Sequence, residues 1–98
     1  MISFPLILNS GKPVLVDFFT QWCGPCKLML PVLTDLKRQL GDDVTILKID
    51  VDKSPESVSA FNIQGVPTLI LFKEGKIKWR HSGGITVNML SQVISRYT

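Results

Sequence analysis

The only two cysteines of the chain lie in one short motif, Cys23-Gly24-Pro25-Cys26. The motif follows an extended apolar segment and precedes a helical pattern, so the first sulfur is expected at a helix N-terminus. Peptide dipoles at that end of a helix favour a thiolate, which is the nucleophilic form of cysteine. Two sulfurs at this spacing can also close a small disulfide and reopen it. The pair therefore predicts a reversible two-electron redox site.

Metal binding is the other usual interpretation of this spacing. Zinc commonly takes four ligands, and His81 is the only histidine of the chain. A closed zinc site within one chain would therefore have to recruit carboxylates. We favour a site with no metal and no separate cofactor, in which the Cys23–Cys26 disulfide is the redox group. A zinc or iron–sulfur site shared between two chains, and two inert thiols in a small core, are the alternatives.

A single carboxylate interrupts the apolar run that precedes the cysteines. Asp17 lies six positions before Cys23, between Pro13 and Phe19. Burial disfavours a charged carboxylate, so the pKa of Asp17 should be raised and the group could exchange protons near neutral pH. The alternative is a hydrogen-bonded polar residue at a strand end.

Length and composition indicate one domain, residues 1–98, with one core, since 45% of the 98 residues are hydrophobic. The net charge of +3 is too small to indicate nucleic-acid binding. No apolar run is long enough to cross a bilayer. The stretch from Ile2 to Leu8 is short, contains Pro5 and lacks a basic leader. We therefore expect a cytoplasmic protein that does not bind membranes.

Four segments have the composition of strands. Pro13–Phe19 is almost continuously apolar, as expected for a strand covered on both faces. Val44–Val51 is the second candidate. Thr68–Lys73 and Lys76–His81 flank Glu74-Gly75, which predicts a hairpin. The basic residues of that hairpin are interpreted as a solvated sheet edge rather than a polyanion site.

Three helices are predicted between and after these strands, and a short helical turn is expected over residues 3–9. The first helix follows the cysteines and ends at Gly41, with an apolar stripe of Met29, Leu33, Leu36 and Leu40. Ser54-Pro55 predicts an N-cap and first turn for a helix reaching Phe61. Thr86 is expected to cap the last helix, whose apolar face holds Leu90, Val93, Ile94 and Tyr97. Trp79 is expected to pack under this helix, and His81 is interpreted as strand filler or a surface residue. This order predicts an α/β sheet with helices on both faces.

Three motifs together resemble the thioredoxin family. The segment Trp22-Cys23-Gly24-Pro25-Cys26-Lys27 resembles its active-site motif, Val66-Pro67-Thr68 its cis-proline loop, and Gly83-Gly84 the glycine turn before its last helix. The resemblance runs from about Pro13 to the C-terminus and implies a thioredoxin fold with a mixed central sheet. Few residues precede Pro13, so we expect about four strands, with the family's first edge strand missing and the edge of Val44–Val51 open.

The resemblance also implies roles for particular residues. Cys23 is the attacking nucleophile and Cys26 the resolving thiol, Asp17 is the base that deprotonates Cys26, and Lys48 lies near that carboxylate. For Lys48 the alternative is a surface charge at a strand end. Phe19 occupies a position where the family commonly has a second tryptophan.

A docking patch for an extended substrate segment is implied as well. The resemblance makes the bond between Val66 and Pro67 cis and places a mostly apolar patch around Cys23. This docking patch comprises Trp22, Gly24, Pro25, Val66, Pro67, Gly83 and Gly84. For Trp22 the alternative is packing beside the helix start.

The predicted function is thiol–disulfide oxidoreductase, reducing disulfide-containing protein substrates. A separate electron donor of the thioredoxin-reductase type would recharge the chain, which has no room for a cofactor-binding fold. We expect a monomer, with dimerisation through the open sheet edge as an option. One alternative is a dedicated reductant for one partner or an exported pathway. The others are a non-catalytic binding module that uses the docking patch and a metal-bridged dimer.

Overall fold

The computed structural model describes residues 11–98. Within them, strands and helices follow one another in the predicted order, and a 3-10 turn at Gly41–Asp43 follows the first helix. The strands are β1 (Val14–Phe19), β2 (Thr45–Asp50), β3 (Thr68–Lys73) and β4 (Lys76–Ser82), and the helices are α1 (Gly24–Leu40), α2 (Pro55–Phe61) and α3 (Val87–Ser95). The α/β prediction is confirmed. The helical turn expected over residues 3–9 lies outside the described residues.

The four strands form one mixed sheet in the order β2-β1-β3-β4. β1 and β2 are parallel and are connected through α1, whereas β3 is antiparallel to both β1 and β4. The described residues thus form the four-stranded sheet expected for the thioredoxin fold, with β2 at one edge. The expectation that a first edge strand is missing concerns the segment before Pro13, and residues 1–10 lie outside the described residues. The register places Lys48 of β2 beside Asp17 of β1.

β1 is buried on both faces of the sheet, as its continuous apolar run predicts. Leu15 belongs to the core between the sheet, α1 and α3. Val14, Val16 and Phe18 belong to the core on the opposite face, against which Val58 and Phe61 of α2 pack. Successive side chains of a strand point to opposite faces, so one strand contributes to both cores.

α1 begins directly at the cysteine motif. Cys23 is its N-cap residue, Pro25 lies in the first turn, and Gly41 ends the helix with φ of 55°. The predicted stripe is confirmed, because Met29, Leu33 and Leu36 are buried and Leu40 packs against the same core. Cys26 is also buried. The helix therefore presents one cysteine at its exposed end and the other towards the protein interior.

The remaining caps confirm the predicted helix starts, with one difference. The Met89 backbone N–H donates a hydrogen bond of 3.2 Å to the Thr86 hydroxyl, as expected for a helix N-cap. Ser54 occupies the N-cap position of α2, but its side chain makes no capping hydrogen bond. Pro55 in the first turn presets the helical φ, so α2 begins there without that bond.

The β3–β4 hairpin turns through Glu74 and Gly75, both with positive φ, of 54° and 78°. This is the conformation that a two-residue turn of type I′ requires.

The helices among the described residues are all too short or too polar to cross a bilayer.

Candidate active site

Cys23 and Cys26 are joined by a disulfide, with their Cα atoms 5.2 Å apart. The backbone N–H of Cys26 donates a hydrogen bond of 3.0 Å to Sγ of Cys23. This N–H belongs to the first turn of α1, which has no earlier carbonyl partner to satisfy it. Once the disulfide opens, the same donor and the helix dipole stabilise a negative charge on Sγ of Cys23.

The two sulfurs differ in accessibility. Cys26 is 4% exposed, whereas Cys23 is half-buried and the intervening Gly24 and Pro25 are exposed. A large protein substrate can therefore reach Cys23 but not Cys26. This asymmetry supports the predicted order of attack, and the closed disulfide argues against two inert thiols.

Asp17 is completely buried in the middle of β1. Burial raises the pKa of its carboxyl group to about 6, and the positive charge of Lys48 opposes part of that rise. Neither carboxylate oxygen has a hydrogen-bond partner among the described residues. The alternative of a hydrogen-bonded polar residue at a strand end is therefore wrong, and the raised pKa is confirmed.

Lys48 is exposed on β2 next to Asp17 in the sheet register. Its Nζ atom lies 5.1 Å from the centre of the Phe19 ring. An ammonium group at this distance from an aromatic face is held by a cation–π interaction. Lys48 is thus a surface residue whose charge nevertheless acts on the buried carboxylate, so both interpretations of it hold.

A cavity of about 290 Å³ brings these groups together. Asp17, Cys26, Phe19 and Lys48 all line it. Since a water molecule occupies roughly 30 Å³ in the liquid, the space accommodates several waters. Neither Asp17 oxygen is accessible to water, so the cavity places Cys26 and Asp17 along one space without hydrating the carboxylate.

The Val66-Pro67 loop at the start of β3 meets the Gly83-Gly84 turn that follows β4. The Val66–Pro67 bond is cis, as the resemblance implies. The Gly83 backbone N–H donates a hydrogen bond of 2.8 Å to the Pro67 carbonyl. Gly83 has φ of 94°, a conformation that favours glycine. The cis-proline loop and the glycine turn are therefore direct neighbours.

Most of the docking patch is accessible. Trp22 is 91% exposed, so packing beside the helix start is the wrong interpretation of this residue. Gly84 is exposed like Gly24 and Pro25, and Val66 and Gly83 are half-buried. Pro67 is buried, which suits a residue that shapes the loop rather than one that touches substrate.

Sequence reasoning missed the contact between Lys48 and Phe19. The signal for it is the strand alternation, since Asp17 and Phe19 lie on one face of β1 and Lys48 lies beside Asp17 on β2.

Within residues 11–98, His, Cys, Asp and Glu side chains form no group of three or more that could hold a metal ion.

Comparison with known proteins agrees with this geometry. The family model described as Thioredoxin matches residues 3–96. The chain is 45% identical to Thioredoxin Y2, chloroplastic, from Arabidopsis thaliana over 89 residues, which is 91% of this chain and 53% of that protein. It is 50% identical to Thioredoxin from Mycobacterium tuberculosis over 70 residues, 71% of this chain and 60% of that protein. The chain thus spans about half the length of the plant relative and 60% of the mycobacterial one.

Solved structures show the same architecture. The N21Q mutant thioredoxin from Halobacterium salinarum NRC-1 superimposes with a TM-score of 0.88 at 36% identity, covering 96% of this chain and 81% of that one. Mitochondrial thioredoxin 3 from Saccharomyces cerevisiae, in its oxidized form, gives a TM-score of 0.85 at 32% identity, covering 95% and 86%.

Proposed function

The chain belongs to the thioredoxin family, and on that basis we propose that it reduces protein disulfides by dithiol–disulfide exchange through Cys23 and Cys26. One observation carries the proposal: the N–H of Cys26 points at Sγ of Cys23 from 3.0 Å at the start of α1. A sulfur so placed leaves a disulfide readily and attacks another readily, because its anionic form is stabilised.

The first step links the target to Cys23 through a mixed disulfide. With both cysteines reduced, the Cys23 thiolate attacks one sulfur of the target disulfide. The target S–S bond breaks, its other sulfur leaves as a thiolate, and a mixed disulfide joins Cys23 to the target. The half-buried position of Cys23 beside exposed Gly24 and Pro25 leaves room for an extended substrate segment.

The second step releases the target. Cys26 loses its proton and attacks Sγ of Cys23, which re-forms the Cys23–Cys26 disulfide and frees the second target thiolate. The two electrons of the dithiol thus pass to the target. Asp17 accepts the proton of the Cys26 thiol across the cavity that both residues line. The Asp17 pKa of about 6 suits this role, because the carboxylate can take up and release a proton near neutral pH. Lys48 tunes this carboxylate through its charge.

Turnover requires an external donor of two electrons, since the chain is left oxidised after each cycle. A thioredoxin-reductase-type protein is the proposed donor, and protein disulfides are the proposed substrates. We also propose that the chain works in the cytoplasm. Some relatives are named as chloroplastic. Fractionation of the source cells, with detection of the protein in each fraction, measures its location directly.

Reduction of insulin disulfides by dithiothreitol tests the proposal. The wild-type chain is expected to accelerate precipitation of the reduced insulin, and Cys23→Ser is expected to abolish the acceleration. Equal rates for the two proteins would refute an enzymatic role.

A Cys26→Ser variant separates an enzyme from a non-catalytic binding module. Removal of the resolving thiol should leave target proteins covalently attached to Cys23, visible as adducts on a non-reducing gel that disappear with excess reductant. A binding module would form no such adducts.

A further inference from the structure

Two hydroxyl groups meet between β3 and β4, where the loop of residues 62–67 enters the sheet. Thr68 begins β3 and Ser82 ends β4, and the sheet register places them opposite each other. Thr68 is 2% exposed. Its Oγ1 atom lies 3.2 Å from Oγ of Ser82 and 2.6 Å from the Gly65 carbonyl oxygen. The mechanism described above uses neither hydroxyl.

The direction of both hydrogen bonds follows from the protons that are available. A carbonyl oxygen only accepts, so the Thr68 hydroxyl donates its single proton to Gly65. The Ser82 hydroxyl must then donate to the Thr68 oxygen. The bonds thus form a chain from Ser82 through Thr68 to the Gly65 carbonyl, and hydrogen bonds in such a chain strengthen one another.

The Gly65 carbonyl belongs to the same planar peptide unit as the Val66 N–H. This unit is trans, so its carbonyl and its N–H point in opposite directions. The Thr68 hydroxyl fixes the direction of the carbonyl and therefore also that of the Val66 N–H. Val66 is half-buried, and among residues 11–98 its N–H donates to no backbone carbonyl. This N–H is thus left for the backbone of a bound segment.

Both ends of the loop are held independently of the two hydroxyls. At its start, Arg80 of β4 donates hydrogen bonds to the carbonyls of Phe61 and Asn62, the second at 3.2 Å. At its end, the Gly83 N–H donates to the Pro67 carbonyl at 2.8 Å. Loss of the hydroxyl chain should therefore release one peptide unit and leave the loop attached at both ends.

We propose that Thr68, supported by Ser82, is a positioning residue for substrate binding, whose hydroxyl sets the direction in which the Val66 N–H meets the backbone of a protein substrate. The inference rests on the proposed disulfide reductase function and on the docking patch that contains Val66. Neither hydroxyl makes a hydrogen bond to a cysteine among the described residues. The pair therefore acts on the binding of an extended segment and not on the exchange of bonds between sulfurs.

Two disulfide substrates test the proposal. One joins two short peptides through their central cysteines and offers an extended backbone, and the other is the small disulfide of 2-hydroxyethanethiol, which has no peptide backbone. Thr68→Val removes the hydroxyl at nearly constant side-chain volume. The ratio of kcat/KM for the peptide to kcat/KM for the small disulfide should fall roughly two- to ten-fold, the factor that one hydrogen bond commonly contributes. The loss should appear in KM for the peptide rather than in kcat, because the contact is made equally in the bound state and the transition state.

Three further variants identify the hydroxyl chain as the cause. Thr68→Ser keeps the hydroxyl and should restore most of the wild-type ratio. Ser82→Ala should lower the ratio by a smaller factor, and it should have no further effect when added to Thr68→Val, because Ser82 acts only through Thr68. Thr34→Val is the matched control, since it removes a hydroxyl that donates to the Leu30 carbonyl at 2.9 Å within α1, and it should keep the wild-type ratio.

The possible outcomes separate the inference from the function on which it rests. A lower midpoint of urea unfolding for Thr68→Val with an unchanged ratio would show that the hydroxyl only stabilises the fold, and would overturn the inference. A ratio as low for Thr68→Ser as for Thr68→Val would also overturn it, as would an equal fall for Thr34→Val or additive effects of Thr68→Val and Ser82→Ala. Failure of the wild type to reduce either disulfide would instead refute the reductase function.

Discussion

Asp17 shows how much a single side chain can be altered by its surroundings. Its carboxyl group is fully buried and lacks hydrogen-bond partners among the described residues. The charged form is therefore poorly solvated, and Lys48 at the cavity offsets only part of the penalty. The same burial that makes this group a suitable proton acceptor must destabilise the folded protein once the group ionises.

The stability of the folded protein should depend on pH through Asp17. The pKa of Asp17 rises from 3.8 to about 6 on folding, so the folded protein holds this proton more tightly than the unfolded chain does. The free energy of unfolding should therefore fall as pH rises from about 4 through 6. At ~1.36 kcal/mol per pKa unit, the loss is about 3 kcal/mol.

Urea unfolding of the oxidised protein between pH 4 and 8 measures this effect. Asp17→Asn should remove most of the decline, because an amide does not ionise. Asp52→Asn is the matched control, since it replaces an exposed carboxylate and should keep the wild-type slope. Parallel curves for wild type and Asp17→Asn would contradict the prediction.

At the scale of elements, each helix is positioned by residues at its own ends. Gly41 ends α1, Pro55 starts α2, and the Thr86 hydroxyl caps α3. α3 also contributes to the core between the sheet and α1, because Leu90 and Ile94 are fully buried.

Removal of the α3 cap should lower global stability. Thr86→Ala leaves the Met89 N–H without its 3.2 Å partner, and loss of such a cap typically costs about 1 kcal/mol. The midpoint of urea unfolding should fall accordingly, with the denaturant slope unchanged. Thr86→Ser keeps the hydroxyl and is expected to unfold close to the wild-type midpoint. A midpoint as low as that of Thr86→Ala would show that the methyl group, not the cap, is responsible.

At the scale of the whole molecule, the sheet order places β2 outermost among the described strands. The N–H groups of Thr45 and Val51 donate to carbonyls of the β1 side, Pro13 and Phe19. The N–H groups of every second residue along a strand point to the same neighbouring strand. The N–H groups of Ile46 and Lys48 therefore point away from β1, to the outer edge of the sheet. Charged side chains such as Lys48 at an edge discourage unwanted strand pairing.

Amide hydrogen exchange of the monomeric protein tests whether this edge is open. We predict slow exchange for Leu47 and Ile49, which face β1, and fast exchange for Ile46 and Lys48. Leu15 in β1 is the internal reference, since its strand is paired on both sides. Strong protection of Ile46 and Lys48 in the monomer would show that another segment covers the edge.

The sequence alone determined the features that depend on neighbouring residues. The spacing of Cys23 and Cys26, the apolar run of β1, the end of α1 at Gly41 and the hairpin turn at Glu74-Gly75 were all predicted and found. Propensity, capping and turn chemistry act over a few residues, so the chain reveals them directly. The buried Asp17 with a raised pKa also followed, because a carboxylate inside a continuous apolar strand has little alternative to burial.

Only the tertiary structure decided which distant residues meet. The exposure of Trp22 was implied only by the family resemblance. The contact of Lys48 with Phe19 and the cavity lined by both Asp17 and Cys26 were not evident in the sequence. Such contacts join residues far apart in the chain, and their geometry follows from the packing of whole faces rather than from local preference.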